Sequence, residues 1–467
     1  MAPGLMAARS PADTSDTCAT ARPLPDELAR RLALMTADRQ KAWRSPAVAA
    51  AVVRDGEPVW SHEVGLADVE SETAPTPDTQ FRMGSITKTF TATLVMQCRD
   101  EGLLDLDDRL EAHLPGTGFG DLTLRRMLGH VSGLQREPAG EIWSRPEGPT
   151  RAELLAGLED AEAVLASGRR WHYSNLAFAL LGELVARRRG QPWEEVLSER
   201  ILGPLGMRRT TTRRTAPHAT GYLSDPYADR VRPEPEFPGN AFAPAAELWT
   251  TTTDLGRWGA FLADPDAVGP GVVSADTVEE MCHPQVIADL DAWTLGWGLG
   301  LMLVRRGDRV LVGHGGAMPG FLAGLLVRRP EKVAAVVLAN TSAGADASGL
   351  AADLVLEVVD ADPAPPAPWR PGPPVPAEVE ALLGVWWTEG NQVIFSWHDG
   401  RLEARLAAAP AEKPPAVFVA DGYDRFRVES GREHGELLRV VRRDDGSVDR
   451  MVWATYPVTR DCLPFGG

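Results

Sequence analysis

The sequence predicts an α+β domain over residues 26–360, a stiff linker over 361–376 and a small β-barrel over 377–467. Three observations carry this. A helical pattern near the start runs directly into an antiparallel hairpin, which is α+β order rather than regular alternation. Four short strand-like runs between Trp297 and Leu338 are joined by tight turns, as in an antiparallel sheet. After Pro363 the composition changes abruptly, to proline and then to evenly spaced β runs.

Taken in order, residues 1–25 read as a disordered tail rich in Ala, Pro, Ser and Thr. Pro25 to Trp43 has helical spacing at Leu28, Leu32, Leu34 and Met35. Ala47–Val53 and Val59–Val64 are strands about the Asp55-Gly56 turn. A buried helix follows Ser85 and stops at Glu101-Gly102. Arg126 to Leu134 suggests a helix closing at Gly133, with His130 near its end as a satisfied structural histidine. Gln135 to Thr150 is a loop, and Arg151 to Leu165 is helical.

An apolar helix spans Leu176 to Arg189 before Gly190. Trp193–Leu202 is another helix, Thr210–Pro244 is irregular, and Thr250–Leu262 returns to helix. The strand runs 297–304, 310–312, 320–327 and 333–338 come next, with Gly313 to Gly320 lying between two of them, and Leu350–Val359 is the last helix. Eight prolines from Pro363 to Pro376 make the linker stiff. Beyond it, seven β runs between Leu383 and Tyr456 suggest a meander closing into a barrel. Trp386 and Trp387 are adjacent strand residues facing opposite ways, so at least one is barrel core.

Net charge of −17 excludes nucleic acid and an anionic membrane surface as main partners. Cys18, Cys98, Cys282 and Cys462 are far apart, with neither metal spacing nor a disulfide pattern, and no metal or cofactor is expected. No apolar window reaches the roughly 18 residues of a membrane span, and the first residues lack a secretory core. The expected location is the cytoplasm.

The chemistry concentrates at Met83-Gly84-Ser85-Ile86-Thr87-Lys88. Ser85 and Lys88 stand three apart at a helix start, so their side chains share a face. A serine hydroxyl needs a base before it attacks, and burial makes a lysine amine that base. Only four of the 48 basic residues are lysine. Lysine retained in so arginine-rich a chain points to proton transfer, which guanidinium cannot perform. An N-capping serine beside an exposed lysine is the plain alternative. Tyr173 and Asn175, two apart ahead of a helix, offer a phenol and an amide on one side, or simply a cap at Asn175. Gly313-His314-Gly315-Gly316-Ala317 would let backbone pass close to a ligand.

In that order, Ser85-x-x-Lys88, Tyr173-x-Asn175 and His314-Gly315-Gly316 resemble the serine β-lactamase and penicillin-binding-protein superfamily. The class C-like branch of DD-peptidases and esterases is the most similar. Leu128–Leu134, Gly203–Met207 and Thr251–Asp254 also look like its landmarks, and the tail resembles a lipocalin-like domain appended to some members. The resemblance implies an antiparallel sheet flanked by helices with a helical subdomain. It implies Ser85 as acylated nucleophile, Lys88 and Tyr173 sharing the proton transfer, and Asn175 on a substrate amide. His314 holds the third-motif position, and the backbone N–H groups of Ser85 and Ala317 form an oxyanion hole.

Histidine where β-lactamases often carry lysine is more like the peptidase and esterase pattern. With no leader and a lipocalin-like tail, the chain looks most like penicillin-binding-protein-type thioesterases. Those take a peptidyl thioester from a phosphopantetheine-bearing carrier domain and close it head to tail, favouring a D-residue at the acylating end. A D-amino-acid-directed peptidase or amidase, an esterase or transesterase, and a non-catalytic penicillin sensor are the alternatives. Arg187–Arg189, or Arg208-Arg209 with Arg213-Arg214, offer a carrier-docking surface, or else complement helix C-termini.

Overall fold

The computed structural model describes residues 23–463 except 117, 120, 121, 364, 366, 367 and 411. The expected tail over 1–25 lies outside the described residues save for Pro23, Leu24 and Pro25, and Leu24 is buried. The chain divides after residue 364 into two compact units.

The first unit is built on an eight-stranded antiparallel sheet. Its order is Glu57–Gly65, Ala47–Arg54, Val333–Ala339, Phe321–Arg328, Arg309–Met318, Met302–Arg306, Leu295–Trp297 and Val286–Ile287. The central strands are apolar throughout because both faces are covered. Ala47 and Ala49 point into one core with Val336 and Leu338, while Val48, Ala50 and Val52 point into another with Ala335 and Val337. The second core is closed by helices Asp26–Trp43 and Ala347–Ala361. The first holds the helices Thr87–Asp100, Asn175–Arg189 and Thr252–Ala263. The hairpin turn falls at Asp55-Gly56, both at positive φ, as expected.

Four local expectations are corrected. The helix expected to close at Gly133 is only Leu124–Leu128, because His130 turns left-handed at φ 55°. Arg151 to Leu165 is helical only to Ala156, with a 3₁₀ turn to Glu159. Glu162 and Ala163 then bridge instead to Gln135 and Leu134. The glycine motif is not a loop between strands, since Gly313 to Met318 forms the second half of strand Arg309–Met318. The last β run is two strands, Val448–Trp453 and Tyr456–Val458, about a tight turn.

The second unit is an eight-stranded up-and-down antiparallel barrel from Gly384 to Val458. Reciprocal bonds between Trp387 and Thr459 join its first and last strands. Trp386, Phe395, Phe418, Leu438 and Met451 fill the interior. Trp386 is the core member of the tryptophan pair; Trp387 is half-buried.

Candidate active site

Short strand Phe81-Arg82 pairs with Trp249-Thr250, and Met83 N–H donates to Leu248 O at 2.9 Å. The chain then presses into the strand carrying the glycine motif. Gly84 takes φ 54°, and a Cβ there would lie 2.5 Å from Ala317 N. A Cβ on Gly316 would lie 1.9 Å from Met83 O. Glycine at both positions is therefore what allows Ser85 to sit against strand residue Ala317.

Ser85 occupies a 3₁₀ turn, Gly84–Ile86, that leads into the helix, and it keeps partial exposure. Lys88 is wholly buried, with Nζ 3.1 Å from Ser85 Oγ and donating to Ala245 O at 2.8 Å. Desolvation drives its pKa well below the ordinary lysine value; Glu137 opposes this and Arg136 adds to it. An exposed lysine beside a capping serine is thus not what the chain builds.

The Ser85 side chain acts on the Tyr173 phenol, favouring its ionised form, and Lys88 Nζ lies 4.9 Å from the tyrosine ring centroid. Burial outweighs this and pushes the phenol's pKa upward, so it is protonated at neutral pH. His130 stacks on Tyr173 with centroids 4.2 Å apart and planes at 25°. Its Nδ1 accepts from Ser174 N–H at 3.1 Å and its carbonyl accepts from His172 N–H at 2.8 Å. The histidine holds the tyrosine segment rather than a helix end, and it is not the satisfied histidine expected, since its buried Nε2 meets no partner.

Asn175 does not cap its helix. Ser174 does, accepting from Ala177 N–H at 3.0 Å, which frees Asn175 Nδ2 to donate to Glu137 Oε1 at 2.8 Å. Burial raises the Glu137 carboxyl against the pull of Asn175, Arg136, Lys88 and Trp143. Glu137 and Arg136 carried no motif, lying in a segment read only as loop; their charge beside Pro138 is no signal by itself. Arg136 stands 5.1 Å from the Tyr173 centroid.

His314 is buried, 6.1 Å from Tyr173 between centroids, and its Nδ1 donates to Gly315 O at 2.5 Å. That bond leaves Nε2 as the acceptor nitrogen. Desolvation first, then Lys88, lowers its pKa to about 3, so the ring is neutral. Gly315 lets the Ser348 hydroxyl pack close to the strand, since a Cβ would lie 2.7 Å from its Oγ and would require it to shift.

The structure thus brings together Ser85, Lys88, Tyr173, Asn175, His314 and Ala317, from three separate stretches of chain. Around them, His130 Nε2, His314 Nε2, Asn175 Oδ1, Glu137 Oε2 and the indole nitrogens of Trp171 and Trp297 are buried without hydrogen-bond partners. Polar atoms left so are suited to water or substrate. Beneath lies a charged pair, Arg82 and Glu247, 3.1 Å apart and almost fully buried. Burial outweighs Arg82 and pushes Glu247 up to about 7.

Elsewhere, the arginine cluster is internally engaged: Arg187 donates to Glu183, Arg188 to His113 and Arg189 to Glu101. Among the described residues no group of three His, Cys, Asp or Glu side chains could hold a metal, and no helix is long and apolar enough to cross a membrane.

Residues 33–360 match the Beta-lactamase family model, and residues 375–460 match a domain of unknown function, DUF7586. A D-aminopeptidase of Brucella ovis is 26% identical over 427 residues, 86% of this chain and 75% of its own. Among solved structures, SurE is 25% identical with a TM-score of 0.58, covering 93% of this chain and 99% of its own. A D-stereospecific amidohydrolase from a Streptomyces species is 26% identical with a TM-score of 0.59, covering 72% and 98%.

Proposed function

The chain belongs to the β-lactamase family of serine hydrolases, and on that premise we propose that it transfers acyl groups from D-amino-acid substrates through a Ser85 acyl-enzyme. The observation that carries this reading is the Lys88 amine 3.1 Å from Ser85 Oγ, buried and pushed towards its free-base form. As Oγ bonds to the substrate carbonyl carbon, its proton passes to Lys88, directly or through the Tyr173 phenol. The N–H groups of Ser85 and Ala317 receive the oxyanion, and His314 and Asn175 orient the acyl group. Collapse breaks the bond to the leaving amine, which takes a proton from the same pair. Water then attacks the ester carbonyl and gives its proton to that pair; the bond between the acyl carbon and Oγ breaks, and the pair returns a proton to Oγ, which restores Ser85 and releases the acid.

Direction towards D-residues is supported by the names of the relatives, a D-aminopeptidase and a D-stereospecific amidohydrolase. Water as acceptor makes the chain a D-amino-acid peptidase or amidase. A second reading is favoured by SurE, whose likeness runs through both units. In that reading a carrier-bound peptidyl thioester acylates Ser85, and the peptide's own amine displaces it to close a ring.

Intact-mass spectrometry tests the common step: a fluorophosphonate should add once, on Ser85, and an unlabelled protein would overturn the enzyme reading. D- and L-aminoacyl p-nitroanilides test the direction, with faster release expected from the D series. A linear peptidyl thioester ending in a D-residue separates the two acceptors. Free acid supports hydrolysis, and a product one water lighter supports cyclisation.

A further inference from the structure

We propose that one end of the barrel is a second binding site, which takes a small carboxylate carrying a single aromatic or branched apolar body. The inference goes beyond the reading of Ser85 and does not rest on it.

Along a barrel strand every second side chain points inward. Midway through the barrel those positions hold large groups, Trp386, Phe395, Phe418 and Met451, all buried. Two residues along the same alternation the filling stops. Thr388 follows Trp386, Leu406 follows Ala404, Ala416 precedes Phe418 and Trp453 follows Met451. Ala404 and Ala416 stand directly opposite each other, so two facing positions contribute no bulk. Leu406 keeps the inward alternation of Leu402 and Ala404, yet it is 42% exposed where they are 0% and 2%. An inward leucine that meets water marks an interior left open. With Tyr456, these residues line a cavity of about 180 Å³. An apolar cavity of about 150 Å³ accepts benzene, so this one has room for a single ring or a short branched chain.

The polar groups of the cavity gather at its mouth. Thr388 and Trp453 are the last residues of their strands, and Thr388 Oγ1 and Trp453 Nε1 are both buried without a hydrogen-bond partner. An indole N–H only donates and a hydroxyl can donate, so an acceptor group suits both. Arg405, Lys413 and Arg432 border the same cavity, against the carboxylates of Glu389 and Glu433. Glu433 is already held by Arg432, Nε to Oε1 at 2.7 Å, and Arg405 donates to Pro410 O at 3.2 Å. The Lys413 backbone is tied to Pro410 O at 3.1 Å, while its exposed ammonium makes no hydrogen bond or ion pair among the described residues. Three cations against two carboxylates, together with two orphaned donors, select an anion made only of acceptors. A carboxylate meets the indole, the hydroxyl and Lys413 while its apolar body descends towards Val393 and Ala404. An amine would bring donors to an indole that cannot accept, and positive charge to a mouth that already carries an excess of it.

Calorimetric titration of the full-length protein with 3-phenylpropionate, its amide and 2-phenylethylamine tests this. The acid is expected to bind one equivalent per chain with a Kd of about 0.1–1 mM, the affinity open to a ligand of that size. The amide should bind about fivefold more weakly and the amine more weakly still. Lys413→Glu, a change on the exposed rim, should weaken the acid about tenfold and leave the amide within about twofold. Ala404→Leu fills the cavity and should abolish uptake of both, with its denaturant midpoint reporting that the barrel is folded. No uptake of the acid by the wild type, equal affinity for acid and amine, or an acid affinity that Lys413→Glu leaves unchanged overturns the proposal. Binding that survives in folded Ala404→Leu overturns it too, because the acid would then sit elsewhere on the chain.

Discussion

The two units bury their interiors in opposite ways. Among the described residues, every buried polar or charged side chain lies in the first unit, and none lies between Pro365 and Val458. The barrel closes on apolar side chains, Trp386, Phe395, Phe418 and Met451, and among the described residues its unpartnered buried polar atoms are one threonine hydroxyl and two indole nitrogens at Thr388, Trp397 and Trp453. The first unit instead holds Lys88, His130, Asn175 and His314 out of water around one hydroxyl. Burying polar groups without full pairing lowers stability. Their concentration about Ser85, against an apolar interior elsewhere in the same chain, marks where stability has been exchanged for reactivity.

The largest effects should come from removing that reactivity. Ser85→Ala is expected to abolish both fluorophosphonate labelling and turnover. Lys88→Arg should reduce turnover by at least about 10³-fold, because guanidinium stays protonated at the pH where an amine accepts. Either variant retaining near wild-type turnover would remove the contrast between the units. Tyr173→Phe should lose about 10²–10⁴ in kcat as the relay is cut. A loss below tenfold would assign the proton to Lys88 alone.

The barrel should respond through stability instead. Trp386 is fully buried, its indole donating to Leu382 O at 2.7 Å with the Arg460 guanidinium 3.8 Å from the ring centroid. Trp386→Ala should destabilise the barrel by about 3–5 kcal/mol, seen as a lowered midpoint in denaturant. The rate of Ser85 labelling below that midpoint should stay as in wild type. A barrel variant that silenced Ser85 while still folded would show the units to be chemically coupled.

Stability against pH sharpens the contrast further. His314 in the folded chain is held at about 3, below the ordinary 6.5. The unfolded chain therefore binds more protons below pH 6.5, and stability falls as pH drops from there towards 3. Glu247, raised to about 7, acts the other way: the folded chain holds the extra proton, and stability falls as pH rises from about 4.5 to 7. His314→Gln should flatten the acid limb of the first unit's melting temperature, and Glu247→Gln the limb above pH 5. Unchanged pH profiles in both would mean that these groups do not titrate as their burial requires.

Much of this was legible in the sequence because it is periodic or local. The Asp55-Gly56 turn, the apolar run after Ser85 and the proline break each state their geometry within a few residues. Ser85 with Lys88, and Tyr173 with Asn175, stand out the same way, by spacing, whereas His314 stands out only through the family resemblance. What stayed hidden was pairing across distance. Glu137 meets Asn175 38 residues away, and nothing in Gln135-Arg136-Glu137-Pro138 announces it. Arg82 and Glu247 likewise meet only because Phe81-Arg82 pairs with Trp249-Thr250. The helix over Arg126–Leu134 was overread because periodicity cannot show that His130 would leave helical space to stack on Tyr173. The glycine motif looks like a break between strands for the converse reason: here glycine serves close approach of Met83 and Ser348 to a strand, not a turn.

The smallest effect should come from an ion pair in the barrel. Arg442 and Asp424 make a bidentate contact, Nε to Oδ2 at 2.8 Å and Nη2 to Oδ1 at 2.8 Å, with side chains 21% and 14% exposed. Arg82 and Glu247 stand at a similar separation but at 1% and 9% exposure. Water solvates the Arg442 pair in part, and its loss can be made good by solvent, so Arg442→Gln should cost about 1 kcal/mol or less. Arg82→Gln strands the Glu247 carboxylate in the interior and should cost about 3–5 kcal/mol, the more so above pH 7 where that carboxylate is charged. Denaturant midpoints of the two variants measure the difference. Equal losses would mean that depth of burial does not govern these pairs, and the contrast between a reactive unit and a packed one would have to rest on the uncharged groups around Ser85 alone.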